Sequence, residues 1–218
     1  MIQARTRIKL CGLGSAQDLA QAAELGVDMV GFVFHPRSPR NVSPADVAAW
    51  LRDKPALVHS VFLFMDPEPA AVHAVLDTVT PDFLQFHGAE SAPFCRQFGL
   101  DYFKALAMGA PEGAAQTLAE HQRCKLWVAD SHGGAVRSGG SGQRFDWLRL
   151  NELPRQVLVA GGLNPGNVTE LIQQHRPWGV DVSSGIESAP GVKCARKMQA
   201  FVRAVWAADA DFHSPDRG

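Results

Sequence analysis

The sequence lacks the features of secreted, membrane-bound and nucleic-acid-binding chains. Its formal net charge of −1 provides no bulk attraction to nucleic acid or to an anionic membrane. No apolar run approaches the roughly 18 residues that mark a membrane-spanning helix, and the first ten residues lack the apolar core of a signal peptide. We therefore expect a soluble chain that has neither a membrane nor a nucleic acid as its partner.

Closely spaced cysteines are also lacking. The four cysteines, Cys11, Cys95, Cys124 and Cys194, lie far apart, and no two of them form a CxxC pair. A disulfide framework or a structural zinc site would need closer spacing, so the pattern favours the reducing cytosol and a cytoplasmic location. The 218 residues, 46% of them apolar, suffice for one domain of α/β-barrel size or for two small ones.

Apolar strands alternate with helical segments along the chain. The predicted strands are Arg7–Leu10, Met29–Phe34, Ala56–Phe64, Phe83–Phe86, Tyr102–Ala105, Leu126–Ala129, Val157–Ala160 and Gly179–Val182. The predicted helical segments begin at Ser15, Ser43-Pro44, Pro67, Ala92, Glu112, Phe145, Asn164-Pro165 and Lys193, and the glycine-rich stretch Ser131–Gly142 is predicted to be a long loop.

Eight strand–helix units of about 25 residues each predict an α/β fold, a single-domain (β/α)8 TIM barrel. We place this barrel domain over residues 1–208, with residues 209–218 as a polar, frayed tail. An open, doubly wound sheet could use the same alternation. It would usually carry a glycine-rich nucleotide loop after the first strand, however, and Cys11–Gly14 is too short a match.

The last two predicted strands both end in small residues. Gly161 and Gly162 follow the seventh strand, and Ser183, Ser184 and Gly185 follow the eighth. Small residues let the backbone approach a ligand closely, and exposed N–H groups can then bind an anion. Many TIM barrels build a phosphate site at this place. Each loop alone could be a simple tight turn, but the pair favours a phosphate site.

A thiol and a carboxyl group end two other predicted strands. Cys11 follows the first strand and Asp130 the sixth, and both would converge over the barrel mouth if their faces point inward. To act as base and acid near neutral pH, the thiol pKa of about 8.5 must fall and the carboxyl pKa of about 3.9 must rise. Such a pair could move a proton between two atoms of a sugar. The alternatives are a buried structural Cys11 and an Asp130 that caps a turn.

Two further side chains lie at predicted strand ends. His87 precedes Gly88 after the fourth strand and could be a structural histidine or a functional one. Arg40 lies in the loop HPRSPRNVSP, which contains three prolines. It could be a surface charge, or it could hold a carboxylate or a phosphate as a bidentate donor.

Six motifs carry a resemblance to a known family. They are KLCG at 9–12, GFVFHPRSPRNVSP at 31–44, QFHG at 85–88, GGSGQRFDW at 139–147, AGGLNPGNV at 160–168 and VDVSSGIESAPGVK at 180–193. In order and spacing, from about Arg7 to Val205, the chain resembles phosphoribosylanthranilate isomerase, a TIM-barrel family of tryptophan biosynthesis.

The resemblance implies the Amadori rearrangement of the phosphosugar N-(5-phosphoribosyl)anthranilate to 1-(2-carboxyphenylamino)-1-deoxyribulose 5-phosphate. It implies that Asp130 is the general acid toward the ribose ring oxygen, and that Cys11 is the general base that removes the proton from C2. It implies neither a cofactor nor a metal ion. The implied substrate-binding residues are Arg40, His87, Gly161, Gly162, Asp181, Ser183, Ser184 and Gly185.

Other functions remain as alternatives. An imidazole-pathway aldose–ketose isomerase would show a two-Asp pattern, whereas the first strand here ends in Cys11. An indole-glycerol-phosphate synthase would need catalytic Lys and Glu residues at several strand ends, which we do not find. A non-catalytic phosphate binder would keep Ser183–Gly185 without a need for Cys11 and Asp130. Whether the chain is a monomer or a homodimer stays open.

Overall fold

A closed barrel of eight parallel strands forms the centre of the structure, a computed structural model that describes residues 5–109, 111–131 and 146–213. The strands are β1 (Arg7–Cys11), β2 (Met29–Val33), β3 (His59–Phe64), β4 (Phe83–Phe86), β5 (Tyr102–Ala107), β6 (Leu126–Asp130), β7 (Val157–Val159) and β8 (Gly179–Val182). Each strand pairs with the next, and β8 closes the barrel on β1, with Lys9 opposite Asp181. The predicted (β/α)8 barrel is confirmed.

Helices connect most of the strands and surround the barrel. They are α1 (Ala16–Glu24), α2 (Pro44–Leu51), α3 (Pro69–Leu76), α4 (Ala92–Arg96), α5 (Pro111–Glu120), α6 (Val168–His175) and α7 (Ala195–His213), with a 3₁₀ segment at Trp147–Glu152 before β7. The predicted caps Ser15 and Ser43 accept hydrogen bonds from the N–H groups of Asp18 and Asp46. Within the described ranges, every helix is too short or too polar to cross a membrane.

Several predicted boundaries were wrong, each for a local reason. β3 begins at His59 rather than Ala56, because the N–H of Val58 closes a turn on Pro55. α6 begins at Val168 rather than near Asn164, whose side chain holds a turn by accepting from Gly166. Beyond Ser131, the predicted loop Ser131–Gly142 lies outside the described residues.

A short hairpin follows β8 that the sequence analysis did not predict. β9 (Glu187–Ala189) pairs antiparallel with β10 (Val192–Lys193), and Gly191 lies in the turn with φ +81°. An added Cβ at Gly191 would collide with the carbonyl of Pro39, so the hairpin packs closely on the loop that follows β2. Because these residues form a hairpin, α7 begins at Ala195 and not at Lys193.

Two layers of apolar side chains stabilise the barrel. Inside it, Met29, Val61, Phe103, Val128 and Leu158 pack together. Between the strands and the helices lies a larger cluster that includes a group of phenylalanine rings, Phe32, Phe62, Phe64, Phe86 and Phe201. Burial on both faces explains why most of the strands read as nearly continuous apolar runs.

The end of α7 is attached to the start of the chain. The helix runs to His213, so its predicted end at Ala208 was wrong. Asp209, placed in a frayed tail by the sequence analysis, accepts hydrogen bonds from the backbone N–H of Thr6 at 2.8 Å and from its hydroxyl at 2.7 Å. Thr6 directly precedes β1, so the contact fixes the entry to the barrel.

Replacing Asp209 by Ala is expected to lower the free energy of unfolding by about 1–3 kcal/mol, because the buried N–H and hydroxyl of Thr6 lose their acceptor. Urea unfolding followed by circular dichroism measures the loss. Asp211→Ala is the matched control, since the bond that Asp211 accepts from Gln173 is exposed, and we expect a change within about 0.5 kcal/mol. An equal loss in both variants would contradict the role given to Asp209.

Candidate active site

Cys11 ends β1 inside the barrel mouth. Its side chain is buried, and its sulfur lies so close to Gly31 of β2 that an added Cβ there would stand 2.7 Å from Sγ. Two positions earlier on the same strand, Lys9 donates to Asp181 of β8 at 2.8 Å. The positive charge of Lys9 also acts on the thiol and favours the thiolate. Lys9 and Cys11 therefore lie on the same face of β1.

The Lys9–Asp181 ion pair lies at the base of this site. Both side chains are buried, at 0% and 7% exposure. The Oδ2 atom of Asp181 accepts from Lys9, whereas its Oδ1 atom is buried with no hydrogen-bond partner among the described residues. Buried polar atoms are normally paired, so this oxygen is suited to accept a hydrogen bond from a ligand.

The pKa of the Cys11 thiol does not fall as the sequence analysis required. Burial raises the pKa of the thiol, the charges of Lys9 and Lys193 lower it, and the carboxylate of Asp181 raises it; the net shift is upward from 9.0. The thiol therefore keeps its proton near neutral pH. The two lysines favour the thiolate without outweighing desolvation.

This shift predicts slow alkylation of Cys11 in the free protein. The rate of reaction with iodoacetamide is expected to rise with pH and to reach its midpoint above pH 9.0, since only the thiolate reacts. Mass spectrometry of the peptide that carries Cys11 separates its rate from those of the other cysteines. A midpoint below 9.0 would show that the thiol is already activated in the free chain.

Asp130 ends β6 and contacts His87 at the end of β4. The Nε2 atom of His87 lies 3.2 Å from Oδ2 of Asp130, and its Nδ1 atom lies 3.1 Å from the amide nitrogen of Gln85. With the amide oriented this way, Nδ1 accepts, so Nε2 carries the proton and donates to Asp130. Ser131 donates to the other carboxylate oxygen at 3.4 Å. His87 and Asp130 are thus brought together.

A buried network that the sequence analysis missed supports the segment after His87. Lys104 of β5 donates to Glu90 at 2.8 Å and to the carbonyl of Gly88 at 2.5 Å, with both side chains 2% exposed. Glu90 also accepts from the N–H groups of Gly88 and Asp66. Only the buried position of a lysine within a strand could have indicated this role.

Arg40 is not a surface charge. It donates through Nε and Nη2 to the two oxygens of Glu187, at 2.6 Å and 2.7 Å, and Lys193 donates to the same carboxylate at 2.7 Å. The methylene stem of Arg40 lies over Gly12, where an added Cβ would stand 2.6 Å from Cδ. Arg40 is thus held beside the end of β1. The sequence analysis assigned no role to Glu187 or Lys193, although both fall in the motif at 180–193.

The two small-residue loops lie against each other. A Cβ added at Gly185 would collide with the carbonyl of Leu163, so the loop after β8 contacts the loop after β7. Gly161 and Gly162 have φ values of +81° and +70°, a backbone region that favours glycine. Ser184 and Gly185 continue into a single 3₁₀ turn ending at Ile186. The adjacency on which the phosphate-site prediction depends is therefore present.

A metal site and a separate cavity are the other kinds of site that a barrel of this size could contain. Over residues 5–109, 111–131 and 146–213, no three His, Cys, Asp or Glu side chains are grouped so as to hold a metal ion. A cavity of about 600 Å³ opens next to Arg7, Trp178 and the 3₁₀ segment before β7, and none of the candidate site residues lines it.

Together, the closed barrel, the ionisable side chains at its C-terminal mouth and the paired loops after β7 and β8 are typical of a (β/α)8-barrel enzyme. Residues 8–204 match the model of the family described as N-(5'-phosphoribosyl)anthranilate (PRA) isomerase. The chain belongs to this family, which confirms the resemblance found in the motifs.

Individual relatives agree over nearly the whole chain. N-(5'-phosphoribosyl)anthranilate isomerase of Stenotrophomonas maltophilia is 47% identical over 210 residues, covering 94% of this chain and 95% of the relative. That of Bordetella parapertussis is 43% identical over 215 residues, with 94% and 98% covered.

Solved structures also match. The phosphoribosyl anthranilate isomerase of Thermotoga maritima has a TM-score of 0.81 at 30% identity, covering 93% of this chain and 99% of that one. Another isomerase structure, in complex with reduced 1-(o-carboxyphenylamino)-1-deoxyribulose 5-phosphate, has a TM-score of 0.79 at 31% identity with the same coverage.

Proposed function

We propose that this chain isomerises N-(5'-phosphoribosyl)anthranilate to 1-(2-carboxyphenylamino)-1-deoxyribulose 5-phosphate, a step of tryptophan biosynthesis. The observation that carries the proposal is the family match over residues 8–204, joined to a buried thiol and a carboxyl group at the ends of β1 and β6. The reaction moves protons within one molecule and changes no overall oxidation state. Side-chain acids and bases can therefore drive it.

Asp130 acts first in the proposed mechanism, as the general acid. It gives its proton to the ribose ring oxygen while the C1–O bond breaks, and the anthranilate nitrogen supplies the electron pair that forms the Schiff base. The Nε2–H of His87, 3.2 Å from Oδ2, holds the carboxyl group in place. Ser131 restrains the other oxygen from the adjoining position.

Cys11 acts second, as the general base. The Schiff base makes the C2 proton acidic, the thiolate removes it, and the resulting enol tautomerises to the ketone of the product. Burial keeps the pKa of the thiol high, so the minor fraction of molecules in which Cys11 is ionised performs this step, and the ammonium groups of Lys9 and Lys193 increase that fraction. A base with a high pKa is also a strong one once it is deprotonated.

Substrate binding is divided between two regions of the mouth. The loops at Gly161-Gly162 and Ser183–Gly185 hold the phosphate through backbone N–H groups. This leaves the anthranilate carboxylate, the second anionic group of the substrate, for Arg40. Asp181 accepts a sugar hydroxyl at Oδ1, which has no partner among the described residues.

The proposed enzyme works in the cytoplasm, as a monomer or a homodimer. The isomerase of Thermotoga maritima is a dimer of which monomers have also been generated and solved. Light scattering after size-exclusion chromatography would separate the two states, since a monomer of this chain has a mass of 23.6 kDa. Cell fractionation would test the location.

Fluorescence of freshly made phosphoribosylanthranilate tests the function. The chain is expected to accelerate loss of the anthranilate-adduct signal and to accumulate the ribulose product, identified by mass spectrometry after borohydride reduction. Saturable binding without product would support the phosphate-binding protein instead. Turnover of an imidazole-pathway aldose substrate, with none of the anthranilate adduct, would overturn the proposal.

A further inference from the structure

One buried carboxylate joins three parts of the mouth. Glu187 of β9 is 6% exposed and accepts two hydrogen bonds from Arg40 in the loop after β2. It accepts a third from Lys193 of β10, whose side chain is 0% exposed. Lys193 also donates to the carbonyl and the hydroxyl of Ser183, at 3.1 Å and 3.3 Å. The hairpin therefore links Arg40 to the end of β8.

The charges of this cluster explain why a second buried cation is useful. Arg40 and Glu187 alone would form a neutral pair, with little attraction for an anionic ligand. Lys193 adds one positive charge, so the three side chains together carry a net charge of +1. Because the cluster is buried, water and salt screen that charge less than they would at the surface.

Burying these groups is costly unless they are well paired. Burial raises the pKa of Glu187, but the hydrogen bonds and charges of Arg40 and Lys193 outweigh it and hold the pKa below its usual range. Burial also lowers the pKa of Lys193. The hydrogen bond and the charge of Glu187 raise this pKa but offset the effect of burial only in part. A buried pair of this kind often adds little to stability, so stability alone does not explain why these groups are buried together.

We propose that Glu187 and Lys193 are positioning residues for Arg40: Glu187 fixes the guanidinium while the methylene stem lies over Gly12, and Lys193 keeps the cluster positive toward the substrate's carboxylate. The inference rests on the proposed function, in which Arg40 receives that group. Beyond that function, Glu187 and Lys193 determine specificity for a carboxylated aniline ring, whereas the neighbouring loops hold the phosphate.

Two ligands that differ only in the carboxylate measure how much that group contributes to binding. The first is the reduced product analogue seen bound to the relative, which carries both a carboxylate and a phosphate. The second is the corresponding analogue made from aniline, which lacks only the carboxylate. Dissociation constants are measured by titration calorimetry for the wild type and for Lys193→Met, Lys193→Arg, Glu187→Gln and the double variant Glu187→Gln/Lys193→Met.

Lys193→Met is expected to weaken binding of the carboxylated analogue about tenfold or more, and of the aniline analogue less than about threefold. Lys193→Arg should keep the wild-type preference, because it keeps the charge. The double variant removes both signs and restores a net charge of +1. It should therefore bind the carboxylated analogue more tightly than Lys193→Met does, which a purely structural role would not produce.

Lys197→Met is the matched control. Lys197 also reaches Glu187, but its exposed side chain donates to the backbone carbonyl, at 2.6 Å, rather than to the carboxylate, so the preference between the ligands should stay unchanged. Equal weakening of both analogues in Lys193→Met would place its role at Ser183 and overturn the inference. So would a double variant weaker than Lys193→Met. Because the readout is binding, absence of turnover in the wild type would contradict the proposed function alone.

Discussion

Replacing Asp130 by Asn is expected to lower kcat for isomerisation by about 10²–10⁴-fold, the range typical of a lost general acid. The amide has nearly the shape of the carboxyl group and can still accept the hydrogen bond from His87, so the site should keep its geometry. It cannot give a proton to the ring oxygen. The dissociation constant of the reduced product analogue should therefore change little, while single-turnover fluorescence decay slows.

Asp101→Asn provides the control for this change. Asp101 lies just before β5, at the opposite end of the barrel, and its ion pair with Lys125 is exposed on both sides. Such surface pairs contribute little to stability, so we expect activity within about twofold of the wild type. If Asp130→Asn kept more than a tenth of the wild-type kcat, the acid would be another group, and His87 would be the first to test.

The barrel could be predicted because its signal is local and repeated. Each strand is a short apolar run, and caps such as Ser15 and Ser43 mark where the next helix begins. Strand ends such as Cys11 and Asp130 follow directly from the order of elements, since all parallel strands end at the same rim. Errors at boundaries, as at Ala56, concern turns whose hydrogen bonds are not visible in residue types.

The partners of the site residues could not be predicted in the same way. Arg40 and Glu187 are 147 positions apart, and Thr6 and Asp209 are 203 apart. No periodicity links such positions, and only closure of the barrel brings them together. The direction of the pKa shift at Cys11 was missed for a related reason, because it depends on how deeply Lys9, Asp181 and the thiol are buried together.

Buried ion pairs recur around the mouth, and this suggests one organising feature. Lys9 pairs with Asp181, Lys104 with Glu90, and Lys193 with Glu187. Each lysine is nearly inaccessible, so each charge is held by fixed protein groups rather than by water. Preorganised charges of this kind stabilise developing charge without having to reorient during the reaction. Their cost in stability is consistent with selection for activity at this rim.

Replacing Cys11 by Ser is expected to lower kcat by about 10³-fold, within the range for a lost general base. A hydroxyl group fits where the thiol does, beside Gly31, but it ionises far less readily than even the raised thiol. Lys9 and Lys193 favour an anion at this position, but their charges are too few to lower the pKa of a hydroxyl group to that of the thiol. Binding of the product analogue should be kept, so the loss should appear in kcat and not in the dissociation constant.

Cys194→Ser makes the same chemical change outside the site. Cys194 directly precedes α7, and its carbonyl accepts from Met198 in the first helical turn, a position where serine is a favoured cap. We expect unchanged activity and equal or slightly greater stability. A Cys11→Ser variant with more than a tenth of the wild-type kcat would remove the thiol from the mechanism. Asp181, whose Oδ1 atom is buried beside it without a partner among the described residues, would then be the carboxylate to test as the base.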